Sequence, residues 1–331
     1  MKELIKKLVE AYGPSGHETQ VRDLIADLIR GHVDEMRTDN LGNLIALRKG
    51  EGGGKRIMVA AHMDEIGLIV TYVDKKGFLR FGTVGGVFPI ATIGGRVRFA
   101  NGAIGVIGWE KWLQPSAERP TLEELFLDVG AVPGSQPPVG VGDVASFDRP
   151  FVDMGQRLVA KAMDDRIGCA VVVQTLLDLK TTPNDVYFVF TVQEEVGLRG
   201  AWVSAFGVEP EVGIAVDVTK TGDTPEAHPM SVELGSGPAI KVMDSAVLVH
   251  PGVKNWMIRT AQELGIKYQL EVLEAGGTDT AAIQRTRGGI PAGCLSIPCR
   301  YVHTPSEMVD YGDVQGAVNL LGKMLAGPVE I

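Results

Sequence analysis

The stretch Tyr187-Phe-Val-Phe-Thr-Val-Gln-Glu-Glu195 constrains the fold of this chain more than any other. Residues 187–192 form an unbroken apolar, β-branched and aromatic run, the pattern of a strand covered on both faces, and the run stops at two adjacent carboxylates. Glu is seldom buried without a partner. A carboxylate pair at the rim of a core is therefore either solvated beyond the strand end or neutralised by a cation. Taken alone, the stretch favours solvation. The balance shifts because the apolar runs 57–62 and 212–217 stop at His62 and Asp217, and a late His303 also follows a strand-like segment. Four such endings point to one metal site.

A chain of 331 residues, 45% of them apolar, can bury a sizeable core and suggests two domains or one domain with a large insertion. Its 9 net negative charges, with no basic cluster beyond Lys6-Lys7 and Lys75-Lys76, argue against nucleic acid or an anionic membrane as partner. The first ten residues carry Leu4, Ile5, Leu8 and Val9 at helical spacing and read as a first helix, not an export signal. No apolar run reaches membrane-spanning length. Cys169, Cys294 and Cys299 lie in apolar sequence and read as reduced core thiols of a cytoplasmic protein.

Taken in order, Ser15 and Glu18 have the spacing of a capping box ahead of an amphipathic helix carrying Val21, Leu24, Ile25, Leu28 and Ile29. Residues 33–38 and 43–47 read as strands. From 66 to 156 the pattern changes to short strands broken by glycines, with little helical periodicity before Thr121, and Gly130 to Gly142 leads toward its exit. Afterwards helix and strand patterns alternate again: a helix over 167–179, strands over 185–192 and 212–216, a short helix over 202–206, and further elements to 325. The expected fold is α/β, a mixed and mostly parallel sheet covered by helices on both faces. Residues 1–65 and 157–331 form its catalytic domain, and 66–156 form a small β-rich insert. Ligands of such sheets bind beyond the carboxyl ends of the strands, where the His, Asp and Glu residues fall.

Each candidate has a plain structural alternative. His62-Met63-Asp64 offers a ligand whose second ring N–H could be accepted by Asp64, although a lone strand-end His is more often structural. Glu65 reads as a supporting or surface residue. Asp164-Asp165 precedes an apolar helix, so the pair could be helix caps or could include a carboxylate bridging two cations. Glu194-Glu195 suits a division in which one carboxylate binds metal and the other moves a proton. Both can face one site only if the backbone turns, which Val196-Gly197 permits. Asp217 is a ligand or a turn cap. Gly276 to Thr280 reads as a turn capping a helix, and His17, His32, His228 and His250 as surface or loop residues. Together His62, Asp164, Glu195, Asp217 and His303 make an N/O set without thiolate, suited to Zn, Co or Mn. Five ligands fit two ions sharing one carboxylate better than a single four-coordinate zinc.

In sequence order, Ala61-His62-Met63-Asp64-Glu65-Ile66-Gly67, Lys161-Ala162-Met163-Asp164-Asp165-Arg166, Gln193-Glu194-Glu195-Val196-Gly197, Ala215-Val216-Asp217 and His303-Thr304 resemble the signature of the tetrahedral aminopeptidases, metallopeptidase family 42. The resemblance spans essentially the whole chain. It implies a zinc-exopeptidase-like fold, a dinuclear aminopeptidase acting on peptides, and an inserted dimerisation domain. It also implies dimers that assemble into a dodecamer. By the same resemblance Asp164 bridges two divalent ions, Zn or Co with Mn possible, and His62 and Asp217 serve opposite ions together with Glu195 and His303. Glu194 is the general base, Asp64 orients His62, and the Asp164–Asp165 peptide is cis. Two other readings use the same residues. One is a metal-dependent hydrolase of a different bond, a deacylase or a glucanase. The other is a non-catalytic peptide-binding assembly. A glucanase is disfavoured because its paired acids would already be committed to metal, and the intact Glu194 disfavours a mere binding shell.

Overall fold

A computed structural model describes residues 1–114, 119–132 and 134–331. Pro133, in the Gly130–Gly142 stretch, lies outside the described residues. The main sheet has eleven strands among the described residues and is parallel through its centre, where Asp185–Thr191, Arg56–His62, Val212–Thr219 and Ala292–Arg300 lie side by side. Leu44–Arg48 and Glu35–Thr38 add antiparallel to one edge, and Glu307–Asp310, Arg157–Ala160 and Val152–Asp153 to the other. Ala239–Met243 and Gln269–Val272 branch from Ala292–Arg300.

The apolar runs form central strands because both of their faces are covered. Along Arg56–His62, Ile57, Val59 and Ala61 enter one core while Met58 and Ala60 enter the opposite one. The first core is closed by helices Lys2–Glu10, Thr19–Ile29, Met163–Asp178, Pro251–Glu263 and Tyr311–Ala326. The second is closed by Arg199–Val208 and Asp279–Gln284. Phe188 and Phe190 are fully buried, worth about 2–3 kcal/mol each in apolar transfer. Cys169, Cys294 and Cys299 are free and buried.

Between Gly67 and Phe147 the described residues form a separate closed barrel of six strands. Its own core includes Leu68, Leu79, Phe81, Phe99, Leu127 and Phe147. Closure leaves this small sheet no free edge. Outside it, Phe88, Ile90 and Trp112 are 50%, 62% and 62% exposed.

One local expectation fails. Helix Thr19–Ile29 has Glu18 at its N-cap and no side-chain cap, so Ser15 and Glu18 do not form a capping box. The Ser15 hydroxyl donates instead to Asp64 Oδ2 at 2.6 Å, and Glu18 Oε1 accepts from the backbone of Gly16 and Gln193. A charged acceptor in the interior outcompetes a backbone N–H that water can satisfy.

Candidate metal centre

The carboxyl ends of the parallel strands set the frame. His62 closes its strand opposite Thr191, and Asp217 lies in register with Ser296. Asp164, Glu194, Glu195 and His303 join them around a cavity of about 400 Å3, within the usual range for a small-ligand site. All seven residues singled out from the sequence come together here, six lining the cavity and Asp64 behind them.

Asp164 is central. Its Oδ1 lies 3.1 Å from His62 Nε2 and its Oδ2 3.4 Å from His303 Nε2. On the His62 side stands Asp217, its Oδ1 3.9 Å from the same Nε2. On the His303 side stands Glu195, its Oε2 3.3 Å from the ring. On these distances His62 and Asp217 stand near one another on one side of the site, and His303 and Glu195 on the other.

The two readings of Asp164-Asp165 are divided between the two acids. Asp165 Oδ1 accepts Gly168 N–H at 3.0 Å, as a helix cap does, and its Oδ2 accepts His62 N–H at 3.3 Å. Both oxygens therefore have backbone donors, although Asp165 also lies close to His62 and Asp217. The Asp164–Asp165 peptide is cis.

The paired glutamates reach one site through a turn that comes earlier than expected. Gln193 adopts a left-handed conformation, φ 57°, ahead of the pair, so the bend does not begin at Val196-Gly197. Asp64 then fixes the backbone: Oδ1 accepts Glu194 N–H at 2.9 Å and Oδ2 accepts Glu195 N–H at 3.1 Å. Burial opposes ionisation of Asp64, yet His62, Ser15 and the Glu194 amide hold its carboxyl below the usual range. His62 Nδ1 faces the same residue, 3.1 Å from its backbone carbonyl and 3.5 Å from Oδ1.

Three buried acids support the site, of which Glu307 had no local signature in the sequence. Glu307 is buried and accepts Asp164 N–H at 2.9 Å with one oxygen and His303 N–H at 2.8 Å with the other. Glu65, read as a supporting or surface residue, is buried and paired with Lys161 at 2.7 Å and with Arg166 at 3.4 Å. Arg166 also donates to carbonyl oxygens of Met63, Leu8, Ala11 and Gly13. Asp279, within the stretch read as a turn cap, is buried and receives the Thr191 hydroxyl at 2.5 Å. The barrel also touches the site: a Cβ on Gly86 would stand 2.7 Å from His303 Nδ1.

The residues fit a pair of divalent cations. Burial, reinforced by neighbouring carboxylates, pushes the Glu194, Glu195 and Asp217 carboxyls well above their usual range. Glu195 Oε1 is buried with no hydrogen-bond partner among the described residues. The donor atoms of His62, Asp164 and Glu195 lie within 4.8 Å of one another, as do those of His62, Asp165 and Asp217. Imidazole and carboxylate donors around a shared carboxylate suit Zn, Co or Mn, and added positive charge relieves the mutual repulsion.

The chain is similar to known proteins over most of its length. The sequence profile described as M42 glutamyl aminopeptidase matches residues 42–320. The chain is 51% identical over 323 residues to a candidate aminopeptidase of Acetivibrio thermocellus, covering 97% of each. It is similar in structure to the aminopeptidase APDkam598 of the archaeon Desulfurococcus kamchatkensis, with TM-score 0.93 and 41% identity over 98% of this chain and 94% of that one. A second similar structure is the TET1 peptidase of Pyrococcus horikoshii, described as able to assemble into a tetrahedron or a large octahedral shell. There the TM-score is 0.87 and the identity 31%, over 98% of each chain.

Proposed function

Because the chain belongs to the M42 family and is a metallo-aminopeptidase, we propose that it removes N-terminal residues from short peptides with two divalent ions. His62, Asp164 and Asp217 hold one ion, and His303, Asp164 and Glu195 hold the other. The observation that carries this reading is Asp164, whose two oxygens face two different histidines, each with its own second carboxylate.

When bound, such ions supply Lewis-acid polarisation of the scissile carbonyl and acidify a water. The chain's own residues do the rest. Glu194 stands beside the ligands, its Oε2 3.9 Å from His62 Nε2, and its backbone is fixed by Asp64 while its side chain remains free to move a proton. It takes a proton from the attacking water and returns it to the leaving amine. The metal-binding end of the cavity would take the substrate's free α-amine as a ligand, and the remaining walls, including Leu273, Gly277 and Thr278, would receive the side chain of the residue to be released.

We assign residues 1–65 and 157–331 to the catalytic domain and 66–156 to an insert that mediates dimerisation, with dimers closing into a dodecamer. The exposed Phe88, Ile90 and Trp112 and the assembly described for the Pyrococcus horikoshii peptidase support this. Buried free thiols support a cytoplasmic location. Among the described residues no helix is long and apolar enough to cross a membrane.

The test is a panel of free-amine peptides, their N-acetylated counterparts and cellulose, assayed with protein reconstituted in Zn, Co or Mn. Turnover confined to free-amine peptides and abolished by a chelator is expected. Hydrolysis of the N-acetylated series or of cellulose in preference would overturn the reading.

A further inference from the structure

The N-terminal stretch Gly13 to Glu18 runs alongside the site although the mechanism does not use it. Pro14 and Glu65 form an isolated parallel bridge, with Ser15 N–H donating to Glu65 O at 3.3 Å and Glu65 N–H to Gly13 O at 3.1 Å. This docking places the Ser15 hydroxyl 2.6 Å from Asp64 Oδ2, the oxygen that also accepts Glu195 N–H. Glu18 Oε1 reaches across to accept the N–H of Gln193, the left-handed residue that begins the turn, at 3.1 Å. Ser15, Glu18 and Asp64 are 9%, 6% and 0% exposed, so water does not substitute for these bonds.

We propose that Ser15 and Glu18 are positioning residues for the Glu194–Glu195 turn, a clasp that sets where the proton-moving carboxylate and the metal-binding carboxylate stand. Asp64 receives three donors, and each oxygen must aim at its own backbone N–H. The short, charge-assisted bond from Ser15 fixes the rotation of the carboxylate that makes this possible. Glu18 secures the other end of the turn, where a residue with a side chain occupies a region that seldom suits one. The same two side chains leave their own helix without a cap, and although Glu18 Oε1 also accepts the nearby Gly16 N–H, each makes a bond to the distant site loops. Only the meaning of turnover in this inference rests on the proposed function.

The test uses the metal-loaded full chain and four variants: Ser15→Ala, Ser15→Thr, Glu18→Ala and Glu18→Gln. Ser15→Ala should lower kcat at least about tenfold with KM little changed and both ions retained. It should also speed amide exchange of residues 193–197 about tenfold, with exchange elsewhere unaltered. Ser15→Thr, which keeps the hydroxyl, should restore both readouts. Glu18→Ala should act in the same way, and Glu18→Gln, whose amide oxygen still accepts, should recover most of the loss. In an Asp64→Asn background, Ser15→Ala should add nothing further. Unchanged exchange over 193–197 in both alanine variants would overturn the inference. So would a global rise in exchange that threonine does not correct, the mark of plain structural support. A wild-type chain that protects these amides but turns over no peptide would sink the aminopeptidase mechanism and leave the clasp to be judged on exchange alone.

Discussion

Asp64 grips Glu194 by its backbone: Oδ1 accepts the Glu194 N–H at 2.9 Å and leaves the Glu194 side chain unengaged by that contact. The second oxygen does the same for Glu195 at 3.1 Å. One carboxylate thus fixes two neighbours to which the proposed mechanism gives different tasks, one ligating and one moving protons.

Glu194→Gln should keep both ions and lose turnover, because the amide neither accepts nor returns a proton while all five ligands remain. A fall of roughly 10²- to 10⁴-fold in kcat is expected. Elemental analysis beside the rate decides it, and near-wild-type turnover would remove Glu194 from the role of base.

Asp64→Asn should also spare metal content but damage kcat by about tenfold or more, since the amide presents one acceptor oxygen where two N–H groups need one each. A variant with full kcat would show that the grip on the turn has no bearing on turnover.

Ligand substitutions should sort into two pairs. His62→Ala and Asp217→Asn should weaken one ion, and Glu195→Gln and His303→Ala the other, each leaving about one equivalent, whereas Asp164→Asn should compromise both. Gly86→Ala should join the second pair, because its new Cβ would collide with His303 Nδ1 at 2.7 Å. Titration of apoprotein with Co, followed by absorption, distinguishes the classes. Retention of two tight ions by Asp217→Asn and His303→Ala alike would discard the assignment.

Away from the site, Arg300 lies 2.7 Å from Asp223 and holds its carboxyl well below the usual carboxylate range. A depressed folded pKa contributes stability that is fully present above the unfolded value, about 4, and is lost as pH falls through the folded one. Asp223→Asn should therefore be less stable than wild type at pH 7, by about 1–3 kcal/mol, and the gap should narrow below about pH 4. Comparing the two denaturation curves cancels the titration of the site they share. A gap that widens in acid would contradict the sign.

Light scattering of metal-loaded and chelated protein addresses assembly. A particle of twelve subunits is expected, and Trp112→Asp should reduce it toward smaller species by placing a charge on an exposed apolar surface of the insert. A metal-loaded wild type that stays monomeric at micromolar concentration would refute the compartment.

How much of this was legible in the sequence depends on how local each signal is. His62 and Asp217 could be found because an apolar run that stops at a polar residue is written in consecutive letters. The mixed sheet and a β-rich insert followed in the same way from a change of period near residue 66, whereas closure of the insert into a barrel depends on pairings between distant strands. Ser15 was misread because S-x-x-E names a local bond, while the bond actually made is to Asp64, 49 residues away. Glu307 was not found: it joins the nearby His303 N–H to that of Asp164, 143 residues distant, and a single buried Glu looks like any surface Glu in sequence. The bend at Gln193 was placed too late because glycine advertises a left-handed backbone and glutamine does not.

The carbonyl oxygens that Arg166 collects from Leu8, Ala11 and Gly13 also impose an order of events during biosynthesis. These residues emerge from the ribosome before their partner, which follows only after the whole barrel, whose strands pair among themselves within residues 67–147, has been made. The barrel can therefore close while the N-terminal arm still waits. His303 follows every other proposed ligand in the chain, so by that assignment the ligand set stays incomplete until His303 has been made. On that assignment the peptide-cleaving site could not form before the strands that frame it have been made.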